Sequence, residues 1–172
     1  MRPLISSALV LLCLVCFAPP ALAGPIILNG SFELGPTSIG TNITLGLGYG
    51  SSTAIPGWVV SAGNIELIGS LWQSSDGSRN IDLNGEMPGA ISQTFDTLAG
   101  GFYEVLFDLA GNPGGGPTIK TLRVSAAGGF TDYTFDVTGK SFSNMGWTEQ
   151  LFSFTAVGPK TTLEVLTESN LS

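Results

Sequence analysis

Short segments in which apolar and polar residues alternate, separated by clusters of Gly, Asn, Asp and Pro, recur along most of the chain. The clearest segments are 103–109, 122–126, 133–137 and 152–156. A period of two places successive side chains on opposite faces, which is typical of a half-buried β-strand. No window has the periodicity of a long amphipathic helix. The chain is therefore predicted to be all-β and to fold as an antiparallel β-sandwich or jelly roll.

Shorter apolar runs give further strand candidates at 58–60, 65–68, 80–83, 90–95 and 163–167, while 45–50 is interpreted as a Gly-rich loop that carries Tyr49. Neither a linker nor an internal repeat is visible, so a single domain is predicted. The inward positions of the strands predict one shared core, which contains Trp58, Phe95, Val105, Phe107, Leu122, Phe135 and Phe154.

The first 23 residues differ in character from the rest of the chain. Arg2 precedes an apolar stretch from Leu4 to Ala18, and Ala21-Leu22-Ala23 is a small-x-small pattern of the kind that signal peptidase cleaves. The stretch of about 15 residues is shorter than the roughly 20 that a spanning helix needs. Residues 1–23 are therefore predicted to be a signal peptide and 24–172 the mature domain. The protein is expected to be secreted, extracellular or at the cell surface, without a membrane span.

Charge and composition exclude several classes of function. With 13 acidic and 6 basic residues the net charge is −7, so binding of nucleic acid is not expected. The chain has no His, and both Cys13 and Cys16 lie in the predicted signal, which excludes a Ser-His-Asp triad, a thiol nucleophile and the usual zinc sites. The Gly-rich stretch 114–121 lacks the Gly-Lys-Ser/Thr junction of a phosphate loop. A non-catalytic domain is favoured, although paired carboxylates for glycoside hydrolysis stay open.

Aromatic residues suggest a different kind of site. An exposed Trp ring can stack on the apolar face of a pyranose while neighbouring polar groups bind its hydroxyls. Trp72 lies in the polar segment 69–77 and is hypothesised to provide such a stacking plane, whereas Trp58 and Trp147 are expected in the core.

Three polar residues complete the hypothetical ligand site. Asp82 faces away from the core if Ile81 and Leu83 point inward, and Asn112 opens a loop rich in Gly and Pro. We hypothesise that Asp82, Asn112 and Arg79 bind ligand hydroxyls. The alternative, that Asp82 and Asn112 only satisfy the amides of turns and strand ends, stays open at this point.

A series of motifs, in a fixed order, carries a family resemblance. They are NGSFE (29–33), PGW (56–58), GSRNIDLNG (77–85), PGAISQTF (88–95), FDLAGNP (107–113) and SNMGW (143–147). In these motifs the chain resembles the choice-of-anchor C family of bacterial exported proteins, and it is similar to the plant cell-wall proteins that share the domain of unknown function 642. The resemblance spans about 26–167. It implies a galactose-binding-like jelly roll that binds polysaccharide or another cell-surface glycan.

The resemblance also has departures. Family members continue past the strand at 163–167 into a segment like Gly-Pro-Ala-Leu-Asp-Asn-Val-Ser-Val, whereas this chain reads Glu168-Ser169-Asn170-Leu171-Ser172 there. The domain is thus expected to lack its last strand, which leaves a strand edge open. In related carbohydrate-binding modules the NGSFE segment and an Asp of that strand help to hold a structural calcium. Glu33 matches the first part only, so calcium is expected to bind weakly or not at all.

The combined reading is a secreted, non-catalytic domain that binds carbohydrate. The alternative is a structural or adhesive surface domain that binds protein, and the third possibility is an enzyme that processes glycosides.

Overall fold

The computed structural model describes residues 27–36 and 44–168. Ten strands lie in these ranges: β1 (Thr44–Gly48), β2 (Val59–Ala62), β3 (Asn64–Ile68), β4 (Asn80–Asp82), β5 (Ala90–Asp96), β6 (Phe102–Leu109), β7 (Ile119–Ala126), β8 (Gly129–Asp136), β9 (Thr148–Thr155) and β10 (Lys160–Thr167). No helix in these ranges is long and apolar enough to cross a membrane. The predicted signal peptide and residues 169–172 lie outside the described residues.

The strands form two packed layers. The back sheet has the order β2-β5-β10-β7-β8, and all its pairs are antiparallel. The front layer consists of two separate sheets, β1-β3-β4 and β6-β9, whose pairs are antiparallel as well. One buried cluster joins both layers; for example, the rings of Phe95 on β5 and Phe154 on β9 lie 6.4 Å apart. The prediction of an all-β, antiparallel β-sandwich is confirmed.

Alternation along β6 shows how the sequence produces this packing. Phe102 and Leu106 are 59% and 65% exposed, whereas Tyr103, Val105 and Phe107 turn inward and pack against the core. The predicted core is confirmed. Its members Trp58, Phe95, Leu122, Phe135 and Phe154 are buried, and Val105 and Phe107 are half-buried at its edge.

One local prediction is wrong. Residues 45–50 were expected to form a loop, but β1 occupies Thr44–Gly48 and pairs with β3, Leu47 opposite Ile65. Leu45 and Leu47 alternate with glycines, and burial of Leu47 against the core outweighs the low strand preference of glycine. Tyr49, just beyond the strand, is exposed.

The turn between β2 and β3 depends on Gly63. Its φ is +51°, and a Cβ there would collide with the carbonyl group of Pro88. Glycine therefore permits both the left-handed backbone and the close approach of the two chain segments.

Candidate functional site

A cavity of about 670 Å³ lies between the two layers. One wall consists of 79–84 and the N-terminal residues Ile27 and Phe32, and the other consists of 105–112 on and after β6. The floor is apolar and belongs to the back sheet: Ile91, Leu122, Val124, Leu163 and Val165. Polar side chains gather where β4 approaches the loop that follows β6. We call these residues, Asn80, Asp82, Asn84, Asn112 and Lys120, the polar end of the cavity.

Two buried amide groups at the polar end lack partners. Ile81 and Leu83 pack against the core, as expected, so Asn80 and Asp82 lie on the opposite face of β4, where Asn80 is only 4% exposed and lines the cavity. Among the described residues, Asn80 Nδ2 and Asn84 Oδ1 are buried without a hydrogen-bond partner. An unsatisfied buried polar group costs about 1–3 kcal/mol. These two atoms therefore need hydrogen-bond partners that the described residues do not supply.

Asp82 and Asn112 are brought together, as the sequence hypothesis requires. Asn112 Nδ2 donates to Asp82 Oδ2 at 3.2 Å. The open alternative also holds in part, because Asp82 Oδ1 accepts the Asn84 N–H at 2.9 Å and Asn112 Oδ1 accepts the Gly114 N–H at 2.8 Å. Each side chain therefore uses its Oδ1 to accept a hydrogen bond within its own turn, and uses its second polar atom for the hydrogen bond between Asp82 and Asn112.

Burial governs the electrostatics of this pair. It raises the pKa of Asp82, and the hydrogen bonds from Asn84 and Asn112 offset only part of that rise. Burial also raises the pKa of Glu66, which lies opposite Asp82 on β3, and the charges of Asp82 and Glu86 add to it. The polar end thus holds a carboxylate that is poorly solvated for its charge.

Lys120 is a cavity residue that the sequence analysis missed. Its Nζ donates to the carbonyl oxygens of Gly115 and Gly116 at 2.6 and 3.0 Å. Burial lowers the pKa of Lys120, and the charge of Asp82 partly compensates. In the sequence, Lys120 follows a glycine-rich loop that has no phosphate-loop motif, and this position predicts no role for its side chain. A strand, β7, follows that loop as the pattern indicated.

The raised pKa of Asp82 leads to an expected pH dependence. Ionisation of this side chain opposes folding, so its contribution to the free energy of unfolding falls as the pH rises from the unfolded pKa, about 3.9, through the folded pKa. Asp82→Asn is expected to remove this fall, and the profile should be flatter than that of the wild type above the unfolded pKa. Urea denaturation at a series of pH values measures it. Asp76→Asn, at an exposed position, is the control, and equal slopes in both variants would contradict the expectation.

The expectation that Trp72 offers an exposed stacking plane is wrong. Its ring is 8% exposed, packs with Ile68 and Met145, and lies parallel to Phe142, with centroids 5.9 Å apart. The reason is that 69–77 folds against the segment before β9, where the Gln73 N–H donates to the Phe142 oxygen at 2.7 Å.

Phe142 therefore presents the exposed ring that was expected of Trp72. It is 41% exposed and borders a shallow depression lined with serines, including Ser70, Ser74 and Ser141. A Cβ built on Gly114 would lie 2.8 Å from Phe142 Cζ and 3.1 Å from Asn112 Oδ1, so the ring lies close to Asn112. In the sequence, Phe142 could have been identified as a candidate binding residue because it is an aromatic residue within a polar turn segment.

Arg79 serves the N-terminal segment and does not bind Asp82 or Asn112. Its Nη2 donates to the Pro36 oxygen at 2.8 Å, and its side chain is 12% exposed. It also lines the cavity and fixes the wall that 27–36 forms. Trp147 is half-buried beside Trp72, and its Nε1 donates to the Gln73 oxygen at 2.9 Å.

Glu33 belongs to the same N-terminal segment and contacts Ser78 and Arg79. Its carboxylate accepts the Ser78 N–H at 2.7 Å and the Ser78 hydroxyl at 2.9 Å, with Arg79 Nε at 4.0 Å. Burial acts to raise the pKa of Glu33, but these partners outweigh it and the pKa lies below its ordinary value. No group of three or more Asp, Glu, His or Cys that could hold a metal occurs in 27–36 or 44–168. The donors around Glu33 do not fit the six to eight oxygens of calcium, and calcium binding stays a prediction.

The model of the family described as "Protein of unknown function (DUF642)" matches residues 25–171. The chain belongs to the DUF642 family. This membership confirms one of the two resemblances, while the choice-of-anchor C resemblance stays a prediction. Halomucin of Haloquadratum walsbyi is 32% identical to this DUF642 domain over 148 residues, which is 86% of the chain. The domain spans only 2% of the length of halomucin.

Solved structures also resemble this DUF642 domain, at low identity. A family 35 carbohydrate-binding module from Clostridium thermocellum is 14% identical, with 74% of this chain and 89% of that chain covered and a TM-score of 0.49. TmCBM61 in complex with beta-1,4-galactotriose is 18% identical, with 68% and 81% covered and a TM-score of 0.43. A Paenibacillus sp. cycloisomaltooligosaccharide glucanotransferase, complexed with cycloisomaltoheptaose, is 18% identical, with 76% and 17% covered and a TM-score of 0.39.

Proposed function

We propose that this DUF642 domain is a secreted, non-catalytic module that binds a polysaccharide or another cell-surface glycan at the polar end of the cavity. One observation carries the proposal: the unpartnered Asn80 Nδ2 and Asn84 Oδ1 flank the Asp82–Asn112 pair. Its place outside the cell follows from the predicted signal peptide at 1–23.

The chemistry of the polar end matches sugar hydroxyls. A hydroxyl donates one hydrogen bond and accepts others, so one sugar can satisfy both the Asn80 donor and the Asn84 acceptor. The Asp82 carboxylate can accept a hydrogen bond from a further sugar hydroxyl, and because the carboxylate is charged this hydrogen bond is the stronger one. Phe142, backed by the parallel ring of Trp72, supplies an apolar surface for a pyranose face near Asn112.

The carboxylates support a binding role more than a catalytic one. Glu66 and Asp82 are neighbours in register and both have raised pKa values, a pairing that would suit glycoside hydrolysis. Of these two, only Asp82 lines the cavity; Asp76 and Asp108 also line it, but neither of their charges affects the pKa of Asp82. The two carboxylates with raised pKa values therefore do not line the cavity together.

The outer face of β6 and β9 favours the adhesive alternative. Leu106 and Leu151 are paired across β6 and β9, lie on the outer face of the front layer and are 65% and 50% exposed. Phe102, on the same face of β6, is 59% exposed. Exposed apolar side chains that lie together in this way are typical of surfaces that contact other proteins.

Substitution at the polar end, and of the Phe142 ring near it, is expected to weaken glycan binding. A glycan array of the full chain identifies a bound glycan, and calorimetry then measures its Kd. Asp82→Ala is expected to raise the Kd by about 10- to 100-fold, because a charged hydrogen bond is lost. Phe142→Ala is expected to raise it by about 10-fold through loss of apolar contact.

Matched controls separate the site from general surface effects. Thr134→Ala and Phe130→Ala change an exposed hydroxyl and an exposed ring on β8, away from the cavity. Both are expected to bind like the wild type. If folded Asp82→Ala and Phe142→Ala proteins bind as tightly as these controls, the polar end is not the site. Retention of a protein partner with no glycan bound would favour the adhesive surface instead.

A further inference from the structure

The cavity and the shallow depression beside Phe142 adjoin each other. Trp72 lines both of them. Along 75–79 the lining residues divide between the two: Ser75, Asp76 and Arg79 line the cavity, and Gly77 and Ser78 line the depression. One short segment therefore forms a wall of both. We call the depression the serine depression; its lining includes Ser70, Gln73, Ser74, Ser141, Phe142 and Ser143.

The ring of Phe142 connects the serine depression to the polar end of the cavity. A Cβ built on Gly114 would lie 2.8 Å from Phe142 Cζ and 3.1 Å from Asn112 Oδ1, so the ring edge and the Asn112 amide both border Gly114. Asn112 in turn donates to Asp82 at the polar end. The polar end, the Phe142 ring and the serine depression are therefore neighbours in that order.

Phe142 is held in place by the protein itself. It lies in a tight turn in which Ser141 and Asn144 exchange two backbone hydrogen bonds, at 3.1 and 2.9 Å. The carbonyl oxygen of Phe142 accepts the Gln73 N–H at 2.7 Å, and its ring lies parallel to that of Trp72. An exposed ring that is already fixed in this way loses little conformational freedom when a ligand binds to it.

The serine depression contains hydrogen-bonding groups that the protein does not use. Gln73 Oε1 accepts the Met145 N–H at 3.1 Å, which fixes the side chain, whereas Gln73 Nε2 has no protein partner within 27–36 or 44–168. In the same ranges the Ser70 hydroxyl has no protein partner either. Ser141 and Ser143 share one hydrogen bond at 3.3 Å, and each of these hydroxyls can accept another. The depression can therefore bind a ligand rich in hydroxyl groups.

We propose that the glycan bound at the polar end is a linear chain of three or more sugar units, which continues over Phe142 into the serine depression. The inference rests on the proposed function. One unit bonds the polar end, the next places its apolar face on the Phe142 ring, and the third bonds Gln73 Nε2 and the Ser70 hydroxyl. A pyranose and a Phe ring are both six-membered, so one sugar unit cannot contact the places on both sides of that ring.

NMR titration of the isotope-labelled full chain with linear oligosaccharides tests the proposal. The probes are β-1,4-linked glucose, galactose and mannose, each from one to five units, and the length series of any other glycan that the array identifies. The Kd is expected to fall by at least about 30-fold from one unit to three units, and to change little with further units. One unit is expected to shift the amide signals of 80–84 and 111–114, and three units are expected to shift those of 70–74 and 141–144 as well.

A double variant, Ser70→Ala with Gln73→Glu, checks the third place. The Glu side chain keeps an oxygen that can accept the Met145 N–H but loses the amide donor. The Kd for three units is expected to rise by about 10-fold, while the Kd for one unit stays within about 2-fold of the wild type. The control is Thr134→Glu with Ser153→Ala, which adds the same charge and removes a hydroxyl at exposed positions of β8 and β9. It is expected to bind all lengths like the wild type.

The outcomes separate this inference from the proposed function. Equal Kd values for one unit and three units would overturn the inference and leave the proposed function in place. Tighter binding of three units without shifts in 70–74 and 141–144, or without loss in the folded double variant, would also overturn it, because the third unit would then lie elsewhere. If no length of any glycan binds, the proposed function fails and the inference fails with it. If the double variant does not fold, the length series and the shifts on the wild type still decide.

Discussion

Phe154→Ala is expected to lower the free energy of unfolding by about 3–5 kcal/mol, the range for removal of a buried aromatic ring. Phe154 is 6% exposed. Its ring lies nearly parallel to that of Tyr103 at 5.2 Å, and Phe95 and Phe152 lie within 6.4 Å. Truncation leaves a cavity at the centre of this aromatic group, which the rigid sheets on both sides cannot collapse to fill. Urea denaturation of the wild type and the variant measures the loss.

Phe102→Ala is the matched control, because it removes the same ring from a neighbouring strand. Phe102 is 59% exposed on the outer face of β6, and the change in free energy of unfolding is expected to stay within about 0.5 kcal/mol. Similar losses in the free energy of unfolding for the two variants would mean that Phe154 does not face the core or that Phe102 does not face outward.

Gly63→Ala is expected to destabilise the protein by about 2–5 kcal/mol. The φ of +51° costs an L-residue about 1–2 kcal/mol, and the collision of the new Cβ with the Pro88 carbonyl adds about 1–3 kcal/mol of overpacking. The neighbouring atoms are backbone, so they cannot move aside by a change of rotamer. The thermal midpoint of the purified variant, compared with that of the wild type, measures the effect.

Gly128→Ala separates the two contributions. Gly128 has a φ of +84°, but a Cβ there has nothing within 4 Å. This variant is expected to lose only the conformational part, about 1–2 kcal/mol. If Gly63→Ala lowers the stability no more than Gly128→Ala does, a Cβ at position 63 does not collide with the Pro88 carbonyl group.

The sequence predicted the fold well where side-chain period and burial agree. The alternation in 103–109 and 152–156 locates β6 and β9. A shift of one residue in either strand would move its buried Val and Phe side chains to the solvent face, so only one register buries them. β1 was missed because glycines at positions 46 and 48 indicate a loop by local preference, and its pairing with β3 depends on residues distant in the chain. The division of the front layer was not predictable from any local pattern.

The candidate site was predictable only in part. Asp82 and Asn112 were identified as polar residues next to strand ends, and the structure brings them together. The burial of Trp72 was missed because the segment that covers it, including Phe142, lies about 70 residues further along the chain, as the 72-residue separation of the Gln73–Met145 hydrogen bond illustrates. Lys120 was missed because its neighbour Asp82 belongs to a different layer of the sandwich.

The place of β10 in the back sheet has a consequence for when the protein can fold. β10 lies at the centre of that sheet, between β5 and β7, although it is the last described strand in the chain. Lys160 of β10 pairs with Asp96 of β5 across 64 residues. Contacts so distant in sequence form slowly, and β5 and β7 have nothing to join them until β10 is made. During synthesis the back sheet therefore stays incomplete until Thr167 has left the ribosome.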